Sequence, residues 1–151
     1  MEGSGSNFGL KVNDGKTEYM VVSSSDRQHG PTVTINQHNF KMVDNFVYLG
    51  SQVNSKNDIV DEIRRRVTLG NRCYFGLLNL LRSKAIHRNP KCTLYKTLIR
   101  PVVTYGAESW CMTNRKEQIL LTFERKILRT IFGPVLDQNR WRRRFIHELI
   151  S

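Results

Sequence analysis

Apolar and polar positions in the chain follow two different periods, one before about residue 57 and one after it. Glu18–Ser23 is rich in β-forming residues and follows the turn-prone Asn13-Asp14-Gly15-Lys16, so it reads as a strand. Ser24–Pro31 is polar, carries Gly30-Pro31 and predicts a loop. Thr32–Asn36 and Asn39–Val43 alternate polar and apolar residues, the pattern of half-buried strands, and adjoin as a hairpin. Asn45–Gly50 is a fourth apolar run ending at a glycine. A small antiparallel sheet is expected from these runs.

From Asp58 onward the period becomes helical. Ile59, Ile63, Val67, Gly70, Tyr74, Leu77, Leu78 and Leu81 recur at steps of three and four, predicting one amphipathic helix. Asp58 suits its N-cap, and Asp61 and Glu62 its first turn. A second helix is expected over Lys91–Tyr105, kinked or ended by Pro101, which lacks a backbone donor. A third starts at Thr113 or Asn114, turns Ile119, Leu120, Phe123, Ile127, Leu128 and Ile131 inward, and stops at Gly133-Pro134. Trp141–Ile150 reads as a short last helix, with Trp141 and Phe145 forming one apolar edge. The expected class is therefore α+β, a small antiparallel sheet over residues 1–57 followed by a three- to four-helix bundle over 58–151.

Charge divides the chain at the same place. Residues 1–57 hold five basic and five acidic side chains, whereas 58–151 hold nineteen and eight, so the whole net charge of +11 belongs to the helical part. Such an excess favours a polyanionic partner, whose bound counterions are released on contact. Cys73, Cys92 and Cys111 are far apart and lack metal-ligand spacing, as do the four histidines. They read as free thiols of a reducing compartment, nuclear or cytoplasmic. Met1–Asn7 has neither the basic start nor the apolar stretch of a signal peptide, and no apolar run is long enough for a membrane.

Four ordered motifs then stand out: Gly9–Asn13 with Lys16-Thr17-Glu18, Phe46–Gly50, Leu94-Tyr95 through Ile99-Arg100-Pro101, and Tyr105–Trp110. In this order they resemble the end of the reverse transcriptase domain of non-LTR (LINE-type) retrotransposons. Phe123–Arg129 and Trp141–Leu149 look like the segments downstream of that domain in animal elements. The resemblance implies that Gly9–Ser23 is motif D of the polymerase palm, Phe46–Ser51 the motif E primer-grip hairpin, and Asp58 onward the thumb and its connection. Lys16 would then neutralise departing pyrophosphate in an intact parent enzyme. Tyr48, Leu49 and Gly50 would hold the primer end, although Phe46 and Leu49 also suit plain strand-core positions. Arg64, Arg65, Arg66, Arg72, Arg82, Lys84 and Arg88 would follow the phosphates of an RNA or RNA–DNA template–primer duplex, read by shape. Neighbours on a helix diverge by about 100°, so only two of Arg64–Arg66 can face one ligand. Arg142, Arg143 and Arg144, preceded by Arg140 and interleaved with Trp141 and Phe145, form a second basic candidate.

Templated polymerisation requires two divalent metals held by carboxylates. The family supplies them from an aspartate in motif A and an Asp-Asp pair in motif C, both upstream of motif D. This sequence contains no Asp-Asp pair. The expectation is a polypeptide that polymerises nothing alone and binds no metal, with Mg2+ belonging to the intact parent and the missing polymerase region as a further partner. A repurposed, non-catalytic nucleic-acid-binding protein and a protein–protein module are the competing expectations.

Overall fold

The computed structural model describes residue 9 and residues 13–22, 30–35, 38–56 and 58–149. The protein is α+β and divides into two compact units, residues 1–59 and 60–151. Most of the Gly9–Asn13 motif, Ser23, the 24–29 stretch of the expected loop, Asn36 and Ile150 lie outside the described residues.

In the first unit, β1 (Glu18–Tyr19), β2 (Thr32–Ile35) and β3 (His38–Met42) form a sheet in the order β1-β3-β2. The hairpin of β2 and β3 is antiparallel, with Val33 opposite Phe40 and Thr34 opposite Asn39. β1 departs from the expected antiparallel arrangement: it runs parallel to β3, Glu18 opposite Lys41 and Tyr19 opposite Met42. Alternation of residue types fixes which face a side chain takes but not the direction of the neighbouring strand. A hydrogen bond from the Tyr19 hydroxyl to the Gly30 carbonyl, 2.7 Å, ties β1 to the chain entering β2. β4 (Asn45–Tyr48) pairs with β5 (Ser51–Asn54) in a separate two-stranded hairpin. Ser51–Asn54 is too polar to register as a strand by hydrophobic pattern. The Asn45–Gly50 run ends as a strand at Tyr48, because Leu49 (φ 47°) and Gly50 (φ 81°) make the turn. Both central residues at positive φ is the signature of the primed turn that matches strand twist.

The second unit opens with α1 (Val60–Gly76). It starts two residues after the expected Asp58 cap. Asp58 is instead bracketed by Asn54, whose Oδ1 accepts its N–H at 2.8 Å and whose Nδ2 donates to its carbonyl at 2.9 Å. The single long helix expected through Leu81 breaks after Gly76, at the residue type with the largest backbone entropy cost in a helix. A five-residue helix, α2 (Leu78–Arg82), continues the apolar stripe.

The helix expected near Lys91–Tyr105 is built as α3 (Arg88–Leu94), a π-helical turn over Tyr95–Ile99, and α4 (Arg100–Val103). Pro101 does not terminate it, since helix continues to Val103. The wider turn immediately before the proline provides for its missing donor and its ring. α5 (Asn114–Phe132) follows Thr113 and ends at Gly133, whose φ of 68° and N–H bond to the Arg129 carbonyl close the last turn.

The last expected helix is corrected by the structure. β6 (Val135–Asp137) and β7 (Arg140–Arg142) form an antiparallel hairpin, followed by a 3-10 turn at His147–Leu149. Gln138 and Asn139, at φ 43° and 65°, make the same primed turn as Leu49-Gly50, and asparagine tolerates that region. Trp141 and Phe145 share no helix face, and both are exposed.

The helical core consists of Tyr74, Leu81, Tyr95, Ile99, Val103, Phe123, Ile127 and Ile131, with Cys73, Cys92, Leu120 and Leu128 packed against it. Cys73, Cys92 and Cys111 are free, the first two half-buried and the last exposed. α1 crosses α4 and α5 closely at Gly70. A Cβ there would overlap Val103 Cγ2 and lie 2.9 Å from Phe123 Cζ. Two polar bonds pin the core's edges: Tyr74 to Thr130 at 2.9 Å, and Tyr95 to Glu124 at 2.8 Å. Burial, then the Glu124 hydrogen bond, pushes the Tyr95 phenol upward from its ordinary value.

Candidate nucleic-acid interface

The apolar stripe of α5 faces the core, so its polar stripe faces outward. Thr122, Lys126, Arg129 and Gly133 follow one another at steps of four, three and four, and all line one cleft. The opposite wall is supplied by the hairpin and the chain after it: Trp141, Arg142, Arg143 and Arg144. The cleft encloses about 570 Å³. A neighbouring hollow of about 590 Å³ shares Arg129, Arg143 and Arg144 and adds Phe145, Ile146 and His147. A third, of about 770 Å³, is lined by Arg82, Lys84, Arg88 and Lys91 and again by Gly133 and Pro134. The end of α5 is thus a common wall, and the cations near residue 85 and those near residue 143 border adjoining hollows.

Within this region the arginines have different tasks. Arg142 is a strut: its Nε donates to Asp137 Oδ2 at 2.7 Å, its two terminal nitrogens donate to Glu148, and its guanidinium lies 4.4 Å from the Phe145 ring centre. Arg144 donates through Nε to the Gly133 carbonyl at 3.2 Å, fastening the segment to the negative end of the α5 dipole. Arg143 is exposed. Among the described residues the buried Nε of Arg129 has no hydrogen-bond partner, an arrangement that costs about 1–3 kcal/mol for a neutral group and more for a charged one. Lys91 is buried and donates to the Ser83 carbonyl at 2.6 Å, while Lys126 donates to Asn71 Oδ1 at 2.9 Å. Arg88 lies over the Phe132 ring, 5.9 Å from its centre. Arg82 and Lys84 are exposed.

The triplet on α1 splits as helical geometry requires. Arg66 is 6% exposed, bonds Glu62 Oε1 at 2.6 Å, and stacks 4.4 Å from the Tyr105 ring centre. It therefore belongs to the interior. Arg65 reaches the other Glu62 oxygen at 3.3 Å and is half-buried; Arg64 is exposed, 3.7 Å from Asp61. Arg72, further along α1, is exposed. None of these four lines the clefts at the end of α5.

In the first unit, Tyr48, Leu49 and Gly50 form the exposed tip of the β4–β5 hairpin, with Leu49 at 74% exposure. Phe46 and Leu49, suited by sequence to a strand core, are both exposed. Lys16 ends a 3-10 turn over Asp14–Lys16, and its N–H donates to the Asn13 carbonyl at 3.1 Å.

Sequence reasoning passes over Lys126 and Arg129. The same three- and four-residue step that picks out the apolar stripe of α5 finds them when applied to its polar face. Among the described residues no helix is long and apolar enough to cross a membrane, and no three His, Cys, Asp or Glu side chains gather as a metal site.

Comparison with known proteins finds relatives over most of the chain. An uncharacterized transposon-derived protein of Caenorhabditis elegans is 27% identical over 140 residues, 91% of this chain and 49% of that protein. A retrovirus-related Pol polyprotein from a type-1 retrotransposable element R1 of Nasonia vitripennis is 30% identical over 123 residues, 76% of this chain and 32% of the polyprotein. These relatives support a retrotransposon-derived origin. The chain spans about half the length of the first and about a third of the second. No family model matches it, and no solved structure matches it.

Proposed function

We propose that this chain is the part of a non-LTR retrotransposon reverse transcriptase downstream of the catalytic palm motifs, and that it grips the template–primer duplex without polymerising. Its ordered motifs and its similarity to an R1 Pol polyprotein support the polymerase reading. The observation that carries duplex binding is the gathering of Arg82, Lys84, Arg88, Arg129 and Arg143 around the end of α5, in a unit that holds the chain's whole positive excess. Positive side chains along such a surface attract phosphates and need no base-specific contact.

The β4–β5 tip, with Tyr48, Leu49 and Gly50, is then the primer grip, and Lys16 acts only beside a complete active site. Metal chemistry, with Mg2+, belongs to the intact parent, because the sequence lacks the Asp-Asp pair. The residues of the upstream polymerase region and an RNA or RNA–DNA duplex are the partners, in a reducing compartment of the nucleus or cytoplasm.

The test is a titration of the purified chain with an RNA–DNA hybrid. Binding that weakens by at least tenfold between 50 and 200 mM salt, as several phosphate contacts demand, supports the proposal (about 10³–10⁵ for six to ten contacts). Absent or salt-independent binding overturns it, and so does primer extension by the chain alone.

A further inference from the structure

The α5–hairpin cleft contains more than charge. Trp141 stands at its rim with 71% of its surface exposed. Its backbone is fixed in β7 opposite Leu136, and β7 is locked in turn by the ion pairs of its neighbour Arg142. An indole on a pinned strand is an open stacking surface at a fixed backbone position, lacking the apolar cover that ordinarily buries tryptophan. Arg129, whose buried Nε has no partner among the described residues, and the exposed Arg143 line the same cleft.

A duplex uses only the charged part of such a site, Arg129 and Arg143. Along its length the base faces are stacked inside the helix, and only phosphates, sugars and base edges reach a protein surface, so an open tryptophan finds no base face to stack on. An unpaired nucleotide offers both parts, a π-face for Trp141 and a phosphate for Arg129 and Arg143. The volume, about 570 Å³, lies in the range of small-molecule pockets and admits one nucleotide.

We infer that the cleft between α5 and the β6–β7 hairpin is a binding site for a single unpaired nucleotide of a nucleic-acid strand, with its base stacked on Trp141 and its phosphate held by Arg129 and Arg143. The inference rests on the nucleic-acid function proposed above and adds to it a preference for a junction between duplex and single strand. Arg142 takes no part in the contact, since both of its edges are committed to Asp137 and Glu148. Arg144 borders the site but is engaged with Gly133.

The experiment compares, at fixed salt, a blunt RNA–DNA hybrid, the same hybrid with a short uridine overhang, and one with an abasic overhang of equal length. The expected result is an overhang preference on the order of tenfold, the scale of stacking one base on an aromatic side chain. Trp141→Ala and the abasic overhang should each abolish it, Trp141→Phe should keep most of it, and blunt-hybrid binding should not change. A preference that survives Trp141→Ala or the abasic substitution overturns the inference, because charge alone would then hold the overhang. Displacement of the overhang by micromolar uridine monophosphate also overturns it, by assigning the cleft to free nucleotides. If the blunt hybrid binds with steep salt dependence and the overhang adds nothing, the nucleotide site is refuted while duplex binding stands. If none of the three probes binds, both fall.

Discussion

Arg142 and Glu148 form a two-pronged ion pair, Nη1 to Oε2 at 3.0 Å and Nη2 to Oε1 at 2.8 Å, six residues apart in a segment with no α-helix. Paired parallel bonds of this kind are directional as well as charged. Here they close a loop from β7 to the 3-10 turn, and the Phe145 N–H completes it by donating to Glu148 Oε2 at 2.7 Å.

That pair makes the hairpin sensitive to acid. Hydrogen bonds from Arg142, then the one from Phe145, hold the Glu148 carboxyl down from its ordinary 4.5 to about 2. A carboxyl lowered by folding adds stability above its unfolded value, and that contribution is lost as pH falls from about 4.5 through 2. Amide protection factors in β6 and β7, taken against the intrinsic exchange rate at each pH, should therefore fall across this interval before those of the α5 core. Arg142→Ala should produce the same loss of protection at neutral pH, and unchanged protection in that variant would show that the pair does not hold the hairpin.

Gly70 should tolerate no side chain. Gly70→Ala inserts a methyl where Val103 and Phe123 already meet α1. Higher helix propensity would favour the substitution by about 1 kcal/mol on an open surface. Overpacking, roughly 1–3 kcal/mol against it, should win. Urea denaturation of the variant should show a lower midpoint.

Leu49 is the opposite case, a branched side chain at φ 47° where asparagine or glycine is the ordinary choice. Leu49→Asn relieves part of a backbone cost of about 1–2 kcal/mol. The β4–β5 hairpin should become better protected in hydrogen exchange. If Leu49 works in a primer grip, the same substitution should weaken binding to a recessed primer end, a trade that a leucine without function would not show.

These cases mark which features are legible in the sequence and which are not. The inward stripe of α5 and its stop at Gly133-Pro134 follow from spacing and residue type, and the structure keeps them. The break after Gly76, the π turn before Pro101 and the parallel placement of β1 depend on neighbours that a one-dimensional pattern does not name. The 135–142 hairpin escapes such a pattern because Trp141 and Phe145, four apart, look like one apolar edge of a helix, whereas the segment is held by Arg142 and Arg144. Their partners, Asp137, Glu148 and the Gly133 carbonyl, become visible only in three dimensions. The same holds for the arginines as a site. Arg64–Arg66 stand out as a triplet, yet Arg66 turns into the core, while Arg82 and Arg143 come to adjoining hollows through the fold.

The most direct measurement of the central claim is the slope of log K against log salt for hybrid binding, in the parent chain and in two double variants. Arg82→Ala with Arg88→Ala, and Arg129→Ala with Arg143→Ala, should each reduce the slope by about 1–2, roughly one unit for each phosphate no longer neutralised. Arg64→Ala with Arg72→Ala, on α1 away from the clefts, should change it by less. Slopes indifferent to both cleft variants, or more sensitive to the α1 pair, would contradict a nucleic-acid surface at the end of α5.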